Sequence, residues 1–403
     1  MERTVRSWLG VPVGSPAVVP RLPPALRRLW LRIEELENPH RNRWSQWEHT
    51  FAENYQGGRL WVPEVTEWVE ETRAQLRAQG STLEAPWPEG RSFALCLTHD
   101  VDLVDIGQTF RQTLRRAYLH AYAEDAPARR LVRARRVVRE LLDGARSRGP
   151  RHSMSPIERA LEIERSFGAV SSFFFTVYPV ERASVYDCVY TADDACRFRG
   201  RTASVADVMQ TLVAEGFDVG LHGGCLSAVD GRVFGLQKAA LERRVGRPIT
   251  TTRQHWLNWD ARRTPPIQAE NGIRADTTVG YNRNVGFRSG SALPYHLFDW
   301  TNRRELPVIE APLVIQDSAV FEPDGLDYDL VLAQRVSRQI VDRVAACLGC
   351  ATVSFHPDRL LDERVATLYR SILQHAVERN AWITSLERLD AWWRQRDVRL
   401  GLG

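Results

Sequence analysis

The sequence predicts an α/β protein: a seven-stranded (β/α) barrel, a small helical N-terminal domain before it, and a two-helix insertion after its first strand. Three observations carry that prediction. Seven short apolar runs, at 93–98, 170–178, 217–222, 251–256, 273–277, 308–313 and 351–356, alternate with helical segments from Arg91 onward. Such alternation implies a parallel sheet, and seven strands suggest closure into a barrel. The helices between them carry their own start and stop signals. Ser155-Pro156-Ile157-Glu158 is a capping box with proline at the first helical position, and Gly168 closes that helix; Ser204 and Gly216 bracket another. Finally, seven of the thirteen tryptophans fall within residues 1–90, where helical patterns near 25–36 and 64–78 precede a break at Pro86 and Pro88.

Taken in order, residues 1–90 read as a Trp-rich helical domain. Trp8, Trp30, Trp44, Trp47, Trp61, Trp68 and Trp87 offer either a sugar-stacking surface or a core, and helical spacing favours the core. Residues 91–403 read as the barrel. Its insertion, 103–152, holds twelve arginines against five acidic residues, a net +7, although the whole chain is only +4. Across 129–142, Leu131, Val138 and Leu142 share one stripe and arginines the other, so the predicted helices are basic outward. That face is either simply solvated or a surface for phosphorylated or nucleotide-linked substrates.

Composition excludes several classes. No run of 18 or more apolar residues exists, so no helix spans a membrane. The start, Leu9-Gly10-Val11-Pro12-Val13-Gly14, is too broken for a signal-peptide core, and the expectation is a cytoplasmic protein. The cysteines Cys96, Cys188, Cys196, Cys225, Cys347 and Cys350 form no dense framework. Lys238 is the only lysine, so there is no GK[ST] phosphate loop. A nucleic-acid partner is disfavoured, because charge without interleaved aromatics is not a recognition module.

The chemistry gathers at strand ends, where open and closed parallel sheets keep their sites. Asp100 and Asp102 end the first run. Residues two apart on an extended chain point the same way, so both carboxylates face one pocket and His99 faces away. Two such carboxylates are costly unless a metal or a proton transfer uses them. His222 ends the third run and enters a Gly-Gly turn. Arg253 and His255 end the fourth, two apart, and His356 ends the seventh.

In order, Leu97-Thr98-His99-Asp100-Val101-Asp102, Gly220-Leu221-His222-Gly223, Arg253-Gln254-His255-Trp256, Asp276-Thr277-Thr278-Val279-Gly280-Tyr281 with Gly286-Phe287-Arg288-Ser289-Gly290, and Ser354-Phe355-His356-Pro357 resemble the motifs of the polysaccharide deacetylase (NodB-like, carbohydrate esterase family 4) superfamily, in its divergent HDVD branch. The resemblance covers about 91–360. It implies a distorted seven-stranded (β/α) barrel and a metal-activated water. By resemblance Asp100 is the general base and Asp102 a metal ligand, although the residue between them leaves the two roles interchangeable. The family's second motif supplies two histidines four apart; here His222 is present, and Leu226 stands where the second would be. His255 is expected to complete an Asp102–His222–His255 metal triad in its place. Arg253 matches the arginine that holds the base, Asp276 the acid of the fourth motif, and His356 the general acid.

The same chemistry stands on the residues alone. Three protein ligands with an open position make a catalytic zinc-type site, and amide hydrolysis needs a base for water and an acid for the departing amine. The expected function is metal-dependent removal of N-acetyl from a sugar or glycoconjugate, anionic nucleotide- or phosphate-linked ones included, with Zn2+ as the divalent metal. Two alternatives remain: the same barrel hydrolysing a non-sugar amide, ester or C–N bond, and an inactive glycan-binding or scaffold protein.

Overall fold

The architecture follows from one long central strand that lends its two halves to different neighbours. A computed structural model describes residues 2–38, 40–42, 46–104, 156–176, 187–188 and 190–403. The expected insertion at 103–152, apart from Leu103 and Val104, and the capping residue Ser155 lie outside these.

Twelve strands occur among the described residues: β1 (Phe93–Val101), β2 (Ser172–Phe175), β3 (Ala195–Phe198), β4 (Arg201–Ser204), β5 (Asp218–Gly223), β6 (Thr251–Gln254), β7 (Ala275–Asp276), β8 (Tyr295–Asp299), β9 (Arg304–Glu310), β10 (Leu313–Gln316), β11 (Cys350–Ser354) and β12 (Ala381–Thr384). Ten form one sheet in the order β10-β11-β1-β2-β5-β6-β7-β9-β8, with β12 also on β1; β3 and β4 make a separate hairpin. All pairings in the large sheet are parallel except β8 with β9. All seven predicted runs supply strands of this sheet.

On one edge β1 pairs with β11. On the other, Phe93 to Cys96 pair with β12 and Thr98 to Val101 pair with β2. That divided edge distorts the barrel. Closure comes from the segment after β7 rather than from a strand ladder: Leu313 N donates to Val279 O at 3.2 Å and Gly286 N to Val314 O at 2.9 Å. The molecule is thus the distorted (β/α) barrel expected from the sequence. Buried parallel strands need apolar residues on both faces, and Phe173, Phe174 and Phe175 of β2 are all fully buried. The helix Val205–Ala214 starts with a reciprocal Ser204–Asp207 capping box.

Two predicted runs differ in ways that matter for the site. The run 308–313 is two strands, split at Ala311-Pro312, because proline has no N–H to give a ladder. The run 251–256 stops at Gln254, and His255 opens a tight turn in which Trp256 (φ 59°) and Leu257 (φ 48°) are left-handed.

The N-terminal helices share the barrel's buried cluster through Trp8, Trp30, Val65, Val69 and Trp87. Trp8 Nε1 donates to Pro294 O at 2.8 Å and Trp87 Nε1 to Leu348 O at 2.7 Å. Trp8 and Trp30 meet edge-on with centroids 4.9 Å apart, so these indoles are core. The loop Gly286-Phe287-Arg288-Ser289-Gly290 is the seat for this segment. Phe287 N donates to Leu60 O and Val65 N to Gly290 O, both at 2.9 Å. Gly286 sits at φ 128°, and a Cβ there would meet Leu60 O at 2.4 Å, so only glycine allows the approach. Arg288 holds Glu35 through two bonds of 2.8 Å, and Arg32 Nε donates to the same carboxylate at 2.7 Å.

Candidate functional site

Each candidate side chain leaves the end of a parallel strand, or the turn after it, at the same rim of the barrel. The β1 pleat sends His99 the other way. His99 Nε2 lies 2.6 Å from Glu164 and Nδ1 2.6 Å from Phe355 O, in the layer beneath the helices.

Arg253 on β6 reaches across the barrel. It donates to Asp100 Oδ1 at 2.8 Å, Thr98 Oγ1 at 2.8 Å, Ser354 Oγ at 2.9 Å, and to the Oγ1 and carbonyl of Thr277 at 3.1 and 2.9 Å. Burial of Asp100 favours its neutral acid, and the Arg253 guanidinium overcomes this, so its pKa is lowered. Asp100 is an ionised, fixed acceptor.

Asp102, His222 and His255 come together. Asp102 Oδ1 is 3.3 Å from His222 Nε2 and 3.6 Å from His255 Nε2, and one donor atom from each residue lies within 4.8 Å of the others. His222 Nδ1 donates to Arg253 O at 2.9 Å, which leaves the Nε2 lone pair aimed into the group. That atom is buried and makes no hydrogen bond. A neutral imidazole held by its other nitrogen, with a bare lone pair beside a carboxylate, is how a metal-binding histidine is presented. The donor set of one oxygen and two nitrogens therefore fits a divalent cation. Burial disfavours charge on His255, yet Cys188, then Asp102 at Nε2 and Asp187 3.6 Å from Nδ1, hold its pKa well above the ordinary value. Cation binding must displace that proton. Burial likewise raises the pKa of Asp102, and His255 and His356 more than reverse it.

His356 stands two residues beyond β11. Its Nδ1 lies 2.6 Å from Asp317 Oδ1, its backbone N donates to Asp317 Oδ2 at 2.8 Å, and its Nε2 is 3.7 Å from Asp102 Oδ2. Burial works against a charged imidazole, but the Asp317 carboxylate prevails and raises the pKa to about 9. At neutral pH this histidine holds a proton and directs Nε2 toward the pocket.

Asp276 is not brought to this group. Its register partner on β6 is Thr252, next to Arg253, so its side chain leaves the opposite face of the sheet. There it accepts from Thr278 Oγ1 at 2.6 Å and pairs in register with Glu310 of β9. Burial raises both pKa values, that of Glu310 more strongly because the Asp276 carboxylate adds to it. Leu226 is exposed, in the turn Cys225–Ala228.

Sequence reasoning missed Asp317 and Cys188. Asp317 directly follows β10, the same strand-end acid signal that marks Asp100, but it was hidden because the run 308–313 ended too early. Cys188 Sγ is 3.4 Å from Asp102 Oδ1, and nothing local in the sequence flags it.

No protein-family model matches the sequence, and no curated protein matches it. Solved structures do. A Mycobacterium smegmatis protein named as a putative polysaccharide deacetylase is 19% identical over 78% of this chain and 96% of its own, with a TM-score of 0.50. A Pseudomonas aeruginosa PAO1 protein named as a probable polysaccharide deacetylase is 14% identical over 79% and 97%, TM-score 0.47. PuuE allantoinase is 13% identical over 79% and 96%, TM-score 0.45. The first of these agrees with the architecture described above: this chain shares the distorted barrel fold of that protein.

Proposed function

We propose that the protein is a metal-dependent hydrolase that removes an N-acetyl group from a sugar or glycoconjugate. The observation that carries this reading is one rim holding three kinds of group. Asp102, His222 and His255 offer a cation site, Asp100 is fixed by Arg253 beside it, and a protonated His356 is backed by Asp317. The fold shared with polysaccharide deacetylases points the same way. A bound divalent ion, zinc by its donor set, would supply Lewis acidity. Asp100 would then accept the proton of the attacking water, and His356 would deliver one to the departing amine. Trp256, 40% exposed with its ring centroid 5.8 Å from that of His255, offers a flat apolar face for a sugar ring.

The test is metal analysis of the purified chain joined to an acetate-release screen over N-acetyl sugars, their nucleotide-linked forms, and non-sugar amides and esters. Release from a non-sugar amide alone would reject the sugar reading, and no release from any substrate by metal-loaded protein would reject the hydrolase. His222→Ala and His255→Ala are each expected to weaken zinc binding by more than the ~10–100-fold that loss of an outer-shell partner costs. Leu226→Ala should leave it unchanged. Titration with a competing chelator measures all three, and an equal loss in Leu226→Ala would show that the triad is not the site.

A further inference from the structure

Bond lengths of about 2.0 Å to nitrogen or oxygen and 2.3 Å to sulfur, at a tetrahedral angle, put N and O ligands about 3.3 Å apart and sulfur about 3.5 Å from either. Asp102 Oδ1 is 3.3 Å from His222 Nε2 and 3.6 Å from His255 Nε2. The Cys188 sulfur adjoins two of these three donors. It is 3.4 Å from Asp102 Oδ1 and 3.9 Å from His255 Nε2. It is also buried, 6% exposed. The second, independent sign of a ligand is His222 Nε2, an unbonded nitrogen of a side chain only 1% exposed, facing the same point.

We propose that Cys188 is a fourth protein ligand of the cation taken up by Asp102, His222 and His255. The inference rests on the metal site of the proposed function and deepens it by naming the class of ion. A thiolate selects a thiophilic ion such as zinc, cobalt or ferrous iron and rejects magnesium and calcium, which prefer all-oxygen sites. On binding, the Cys188 S–H proton passes to solvent and a sulfur lone pair forms the bond to the ion. Four protein donors still leave room for a substrate, since zinc sites expand to five ligands during reaction. Two other arrangements compete. Cys188 donates a hydrogen bond to Asp102 and stays a thiol, or the ion sits instead in the neighbouring group Asp187, Cys225 and His255.

Cobalt(II) separates these, because a cobalt–thiolate bond gives a charge-transfer band in the near ultraviolet that oxygen and nitrogen ligands do not. The full chain, stripped of metal and titrated with cobalt, is expected to develop that band to saturation at one equivalent. Cys188→Ser should lose the band, and Cys225→Ser should keep it. Cobalt bound with no band overturns the proposal while leaving the metal site of the proposed function standing. A band lost in Cys225→Ser and kept in Cys188→Ser moves the ion to the neighbouring group and also overturns it. Failure to bind cobalt at all overturns both readings. Cys188→Ala, with circular dichroism and melting of each variant, guards against misfolding. If neither Cys188 variant folds, Cys225→Ser decides, because Cys225 is the cysteine of the neighbouring group and a band kept without it points to the thiol beside Asp102.

Discussion

Replacing His356 with Gln is expected to lower kcat on an amide substrate by about 10²–10⁴-fold and to leave metal content unchanged. An expelled amine leaves only if protonated, and in the proposed reaction His356 Nε2 supplies that proton. An activated ester, whose leaving group needs no proton, should lose far less. Equal losses on both substrates would remove the acid role. Asp317 supplies the second half of this test as a positioning residue. It raises the His356 pKa to about 9 from 6.5, so the protonated acid is present below that value and is lost as pH rises through it. A dication at Asp102 would cancel the share of the raise due to Asp102, while the share due to Asp317 would persist. Asp317→Asn should therefore shift the alkaline limb of the kcat profile to lower pH. A limb that stays in place in Asp317→Asn, measured beside the wild type, would show that Asp317 does not tune this histidine.

The largest effect on stability is expected from Arg288→Ala, about 3–5 kcal/mol, because it leaves two buried carboxylates, Glu34 and Glu35, with Arg32 as the cation between them. Glu35 is fully buried and Arg288 is 4% exposed at the side chain. The pair joins the N-terminal helices to the loop after β7, so its loss leaves a charge in the core instead of a weakened surface contact. Burial favours the neutral acid of Glu35, and Arg288 with Arg32 overrides this, lowering its pKa from 4.5 to about 2. With the folded pKa depressed, the stabilisation is fully present above about pH 4.5 and is lost as pH falls toward about 2. Chemical denaturation at pH 7 and pH 3 should show a steeper acid loss in the wild type than in Glu35→Gln. Parallel losses would mean that the pair contributes nothing through its charge.

Much of the site was legible in the sequence because its residues end strands. The alternation of 93–98, 217–222 and 351–356 with helices predicted a parallel sheet, and a parallel sheet gathers strand ends at one rim. Asp100, Asp102, His222, Arg253, His255 and His356 were singled out for that reason. Periodicity names a strand but not its register. Asp276 ends a strand too, yet pairing with Thr252 instead of Arg253 turns its side chain to the other face, a one-residue difference that no local pattern encodes.

The sequence by itself determined the alternation of strands and helices, the direction of the Asp100 and Asp102 side chains, and the burial of Trp8 and Trp30. These depend on period and polarity within a few residues. Only the tertiary structure decided that Asp317 backs His356, that Cys188 faces Asp102, and that Glu35 pairs with Arg288 across 253 positions. Each of these contacts joins segments far apart in the chain, and such pairings are fixed by how the sheet curls and closes, which packing of the whole core sets.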